Sequence, residues 1–261
     1  MPWWEIVLII MGSLVGLLFL LSLGAFAYFK IKSSGVFKKG NGKKYSVENT
    51  ETIKSPLTGK TYYFLGSSVT YGAASFGESM VDFLGKKHGA NCVKEAISGT
   101  TFSREKKNSY IERIHNFDAN VTPDAFICQL STNDATMAAL PESNRHHITL
   151  GEISDKFDGF DEYTTFGAME AIIAYAKKTW NCPIYFYTGS YYKSLTYEKM
   201  NEALKKLKEK WGIEIIDLYY DKEFNDVDKK LYKFYMNDKI HPTRAGYKHW
   251  WLKKFEDALM K

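Results

Sequence analysis

Five short apolar runs, at 61–65, 92–96, 125–130, 184–188 and 213–218, alternate with stretches of helical spacing at 76–87, 109–117, 166–179, 197–211 and 242–259. This alternation is the tightest constraint on the fold. Parallel strands need a crossover of a dozen or more residues between them, and a helix is the usual crossover. Right-handed crossovers then place helices on both faces of the sheet. The expected fold class is α/β, a three-layer α/β/α sandwich with a parallel sheet at its centre. The expected domain covers 57–261, behind a polar, Lys-rich linker at 33–56.

A second feature precedes the domain. Residues 6–29 carry no charge. At about 1.5 Å per residue such a helix reaches roughly 36 Å, enough for a hydrocarbon core of about 30 Å. Trp3 and Trp4 stand at one end and Tyr28 and Phe29 at the other, where aromatic belts lie. Residues 1–32 are therefore expected to form one transmembrane anchor in contact with the lipid bilayer. A cleaved signal peptide is the rival, since Ala25 and Ala27 form an A-x-A pattern. No Lys or Arg precedes the run, however, which favours an uncleaved segment. Lys30, Lys32, Lys38, Lys39, Lys43 and Lys44 follow it, which favours a cytoplasmic domain, with an extracellular one as the alternative.

Composition excludes several classes. Three cysteines, Cys92, Cys128 and Cys182, make no disulfide scaffold and no C-x-x-C pair. The net charge of +5 is small and local, and calls for no nucleic-acid partner. His146 and His147 lack a third ligand at metal spacing, so no metal or organic cofactor is expected.

In open α/β sheets ligands bind beyond the carboxyl ends of the strands. Polar groups follow three of these ends. Gly66-Ser67-Ser68-Val69-Thr70-Tyr71-Gly72 follows the first run, Ile97-Ser98-Gly99-Thr100 the second, and Ser131-Thr132-Asn133-Asp134 the third. Asp238-Lys239-Ile240-His241-Pro242 stands just before the last helix. Each is weak alone: Gly-Ser-Ser is an ordinary turn, and Asn-Asp an ordinary cap. Their joint placement at one sheet edge is the signal.

These four blocks resemble the SGNH, or GDSL-like, hydrolase family over about residues 60–261. That resemblance implies a flavodoxin-like five-stranded sheet and a serine esterase working through an acyl-enzyme. It aligns Ser68 with the nucleophile. It implies that the Ser68 and Gly99 backbone N–H groups and the Asn133 amide form the oxyanion hole. Ser67 stands where the family has Asp, and Ser131 where it has Gly. Both departures bear on turn geometry and pocket shape.

The residue types fit that chemistry. A serine hydroxyl needs a base, and the base needs an orienting partner. His241 can take and return a proton near neutral pH. Asp238, three residues earlier, can fold back onto the imidazole, although a backbone carbonyl can orient a base instead. Pro242 and Thr243 place a helix start just behind His241.

The small residues Gly72, Ala73, Ala74 and Ser75 suit a short acyl group. A small-molecule or glycan ester, with acetyl as the acyl group, is the expected substrate. Lysophospholipase, thioesterase and acyltransferase activities on the same triad are alternatives, and so is a non-catalytic binding protein. The long segment between Asn133 and Phe166, with Met137, Pro141, Phe157 and Phe160, reads as a lid or as a packed loop. Tyr187, Tyr191 and Tyr192 are candidate cleft residues. The lysines of 199–210 read as a solvated helix face.

Overall fold

The computed structural model of the chain describes residues 1–33 and 38–261. Residues 34–37, within the linker expected at 33–56, lie outside the described residues.

Helix α1 (Trp3–Ser33) carries the charge-free run. Its segment Trp3–Tyr28, of mean hydropathy 2.8, is long and apolar enough to cross a membrane, a property it shares with signal sequences.

The five apolar runs become β1 (Thr61–Gly66), β2 (Asn91–Ala96), β3 (Ala125–Gln129), β4 (Ile184–Tyr187) and β5 (Glu214–Ile216). They form one parallel sheet in the order β2-β1-β3-β4-β5, the flavodoxin-like order. Strand order reverses where β1 lies between β2 and β3, so the carboxyl ends of β1 and β3 flank the switch point.

Alternate residues serve opposite faces, as the period-2 geometry of a strand requires. Tyr63, Leu65 and Phe126 pack with Ile172 and Leu204 on one face. Tyr62, Phe64 and Ile127 pack with Leu84 and Phe255 on the other.

The helices differ from expectation at their ends. Two start directly at the polar blocks: α2 (Ser68–Tyr71) and, further on, α5 (Thr132–Ala138). The helix expected from 76 begins only at α3 (Met80–His88). Phe76 and Gly77 have left-handed φ of 60° and 79°, and Ser79 with Asp82 forms a capping box at the true start. Short α4 (Tyr110–Arg113) follows β2. Long α6 (Thr165–Thr179) and α7 (Leu195–Trp211) flank β4. After β5 come α8 (Lys222–Asn225) and α9 (Lys229–Tyr235). The terminal rod is α10 (Arg244–Gly246), a π-turn (Tyr247–Trp251) and α11 (Leu252–Leu259). Thr243 caps it through its Oγ1, which accepts the Gly246 N–H at 3.2 Å.

From Lys38 onward the polar lead-in is packed on the α/β body. Gly40 and Asn41 are buried. A Cβ on Gly40 would lie 2.2 Å from the Phe234 carbonyl oxygen, so only glycine allows this approach. Asn41 Nδ2 donates to the Ala74 carbonyl at 2.7 Å, and Asn41 Oδ1 accepts the Arg244 N–H at 2.8 Å.

Candidate active site

β1 ends in a turn that only Gly66 permits. A Cβ there would fall 1.7 Å from Thr70 Oγ1. The two serines that follow part company. Ser67 is fully buried, and Gln129 Nε2 donates to its Oγ at 3.2 Å. Ser68 heads α2, and its Oγ lies 2.8 Å from His241 Nε2.

Gln129, the last residue of β3, secures this turn. Its Oε1 accepts the Ser67 and Thr70 N–H groups at 3.0 and 3.1 Å and the Thr70 hydroxyl at 2.7 Å. Thr70 Oγ1 also lies 2.5 Å from the buried Tyr187 hydroxyl. Gln129 escaped the sequence reading. Its one signal is a polar residue inside an otherwise apolar run, two positions before Ser131.

His241 sits in a loop pinned at both ends. Asn237 donates its N–H to the His241 carbonyl at 2.8 Å, and Thr243 donates its own to the Tyr235 carbonyl at 2.8 Å. Asp238 folds back as its spacing allows: its Oδ2 lies 2.9 Å from His241 Nδ1. Asp238 Oδ1 also accepts the Ile240 and His241 N–H groups at 2.7 and 2.8 Å. Partial burial works to raise the carboxyl pKa, but the His241 ring and these N–H groups hold it at about 2. It is a fixed anion on the imidazole.

Gly99 adopts a left-handed φ of 83° after β2, with nothing within 4 Å of the Cβ it lacks. Asn133 Nδ2 donates to the neighbouring Thr100 carbonyl at 2.9 Å, which leaves the second N–H of the amide for another acceptor. Ser68, His241 and Asp238 are thus directly hydrogen-bonded in line, whereas Gly99 and Asn133 meet each other through Thr100. Arg113 joins the two groups. Its NH2 donates to the Gly66 carbonyl at 2.8 Å and to Thr100 Oγ1 at 2.9 Å.

Asp134 braces the same loop. It is wholly buried, accepts the Phe102 N–H at 3.1 Å and accepts the Thr165 hydroxyl at 2.9 Å. Burial pushes its pKa up to about 6, against the pull of its hydrogen bonds to Ser131, Thr165 and the backbone. Asp134 stands in the third polar block, but its bracing contacts, like those of Arg113, reach residues far away in sequence.

A closed, mostly apolar seam, too tight to admit a water molecule, adjoins the site. Val69, Thr132 and Ile240, the sequence neighbours of Ser68, Asn133 and His241, line it together with Tyr192. An open cleft of about 1110 Å³ lies elsewhere, between residues 151–157 and α7, and touches none of the predicted site residues.

Of the long segment after Asn133, residues 154–160 are mostly exposed and are tied to α6 and α7 at Ser154 and Lys156. Lys210 holds it, and is not a solvated lysine. Its Nζ donates to the Ser154 carbonyl at 2.6 Å and pairs with the fully buried Glu170 at 2.5 Å. The Phe157, Phe160 and Trp211 rings lie 4.9, 5.5 and 5.2 Å from that ammonium.

The sequence model of the GDSL-like lipase/acylhydrolase family matches residues 64–249, well over half of the chain. The chain belongs to that family. It is an SGNH-type hydrolase, an enzyme of the esterase class. Solved structures share this GDSL-like fold at low identity. A protein from Lactobacillus plantarum has a TM-score of 0.61 and 18% identity, over 77% of this chain and 97% of its own. A Bacteroides ovatus protein described as a GDSL-like lipase has 0.56 and 19%, over 77% and 98%. The acetylxylan esterase Axe2 from Geobacillus stearothermophilus has 0.55 and 20%, over 77% and 94%. No curated protein matches the chain in sequence.

Proposed function

We propose that this GDSL-like hydrolase cleaves carboxylic esters through an acyl-enzyme on Ser68. The carrying observation is the 2.8 Å contact from Ser68 Oγ to His241 Nε2, with Asp238 on the opposite ring nitrogen. With the carboxylate on Nδ1–H, Nε2 is left unprotonated to accept the serine proton. The Oγ–carbonyl carbon bond forms as the proton passes to Nε2. The Ser68 and Gly99 N–H groups and the free N–H of Asn133 receive the oxyanion. Collapse breaks the bond to the alcohol, which leaves with the proton from Nε2. Water then repeats the sequence on the acyl-enzyme and releases the acid.

The proposed substrate is a small acyl group, acetyl above all, on a carbohydrate or similar polar alcohol. The small residues at 72–75, which follow the Ser68 helix, support a short acyl chain, and an acetylxylan esterase shares the fold. Residues 1–32 are proposed to act as an uncleaved single-pass anchor. The enzyme unit 57–261 takes residues 38–56 as part of its packing, and the lysines after the helix favour its cytoplasmic side.

The test is fluorophosphonate labelling and p-nitrophenyl ester hydrolysis by the full chain, with Ser68→Ala and Ser67→Ala. Wild type and Ser67→Ala should label and turn over, with acetate preferred to longer chains, while Ser68→Ala does neither. Labelling of Ser68→Ala refutes the assignment, and a preference for long chains refutes the acetyl reading.

A further inference from the structure

The segment that follows α1 docks beside the active site. Ser33 ends the helix, and Lys38 already belongs to the packed body. Five residue steps span at most about 18 Å even when fully extended. Asn41 then binds Ala74, from the loop after α2, and Arg244, three residues after His241. A helix held in a bilayer therefore keeps the carboxyl edge of the sheet within a short distance of the headgroups.

The surface at that junction has matching chemistry. Lys39, Lys43 and Lys44 are exposed on the docked segment. Phe76 is half exposed, with its ring 4.5 Å from the guanidinium of Arg244, the residue that binds Asn41 on that segment. Arg244 NH1 donates to the Asn41 carbonyl, and its NH2 donates to Glu78, so the loop 72–78 and the docked segment are one unit. Phe76 has a left-handed φ of 60°, a costly conformation for an aromatic residue. An exposed aromatic ring on a loop tied to a lysine-bearing segment is the composition of a headgroup-level contact.

We propose that the face formed by Lys39, Lys43, Lys44 and Phe76 lies against an anionic bilayer surface, so that the ester cleaved at Ser68 is one presented from that surface. This rests on the esterase reading and on retention of α1 as an anchor. The loop that carries Phe76 is the continuation of the helix that carries Ser68, so contact with headgroups places the site mouth at the membrane plane.

The experiment uses the full chain in phosphatidylcholine vesicles with and without phosphatidylglycerol. A photo-crosslinking p-benzoylphenylalanine replaces Phe76 in one sample and Val121, exposed at the opposite edge of the sheet, in another. Lipid adducts should form at 76, more with phosphatidylglycerol, and not at 121. Absent or equal adducts at the two positions overturn the proposal. In the same vesicles, a variant with Lys39→Glu, Lys43→Glu and Lys44→Glu should lose about tenfold on an acetyl ester carried by a phospholipid headgroup. It should keep its rate on soluble p-nitrophenyl acetate. Equal effects on both esters also overturn it. Adducts at 76 without turnover of either ester would remove the esterase reading and leave the membrane contact standing.

Discussion

Gln129 holds Ser67 from two sides: its Oε1 accepts the Ser67 N–H at 3.0 Å, and its Nε2 donates to Ser67 Oγ at 3.2 Å. The family's Asp is absent at position 67, and a buried amide from the neighbouring strand fixes the turn. Gln129→Met removes the acceptor for two backbone N–H groups and lets the Ser68 turn drift. A displacement of this kind costs about 10²-fold in kcat, with KM little changed. Gln129→Glu keeps the acceptor, and the Ser67 hydroxyl can donate to its second oxygen. Steady-state kinetics should show recovery in Gln129→Glu, and equal loss in both variants would contradict the positioning role.

Asp238 remains ionised down to about pH 2. It therefore contributes no acid limb to the pH profile above that value. Asp238→Asn removes the anion held against the His241 ring. The rate at the optimum should fall by up to about 10⁴-fold, because the ring loses its fixed tautomer. Steady-state rates on a soluble ester measure the loss, and an unchanged rate would refute the pairing.

Asn133→Ala removes the proposed oxyanion donor and the hydrogen bond to Thr100. The first loss is expected to cost about 10²–10³ in kcat. The second costs only about 1 kcal/mol of stability. Kinetics and urea denaturation of one variant separate the two effects.

Asp134 carries a pH signature in stability. Its folded pKa of about 6 lies above the ordinary 3.8, so folding favours the protonated carboxyl. Its contribution is fully present below pH 3.8 and is lost as pH rises through about 6. Asp134→Asn lacks this titration. The stability of wild type relative to Asp134→Asn should fall between pH 4 and pH 7 by a few kcal/mol, on the order of 2–3. Urea midpoints at the two pH values give the difference, and a constant gap would show that the carboxyl does not titrate there.

The central strands β1, β3 and β4 were legible because each is a short apolar run between turn residues, and burial on both faces demands that pattern. The hydrogen-bonded line of Ser68, His241 and Asp238 was also foreseeable from block order and the three-residue spacing. The start of α3 was not, since Phe76 and Gly77 interrupt a helical pattern through backbone conformation rather than residue type. The packing of Gly40 and Asn41 was hidden for another reason. Their partners lie about two hundred positions away, and no local period announces such a contact. Lys210 read as one of many solvated lysines, because only the folded chain brings Glu170 and three aromatic rings around it.

The bond between Ser68 and His241 joins residues 173 positions apart. Synthesis proceeds from the amino terminus, and domains fold as units. A chain not yet extended to position 241 has its Ser68 turn, its Gly99 loop and its sheet, but lacks the proposed base. Under the proposed mechanism hydrolytic competence is consequently the last property the chain acquires, and a copy that stops short of His241 displays Ser68 without its base.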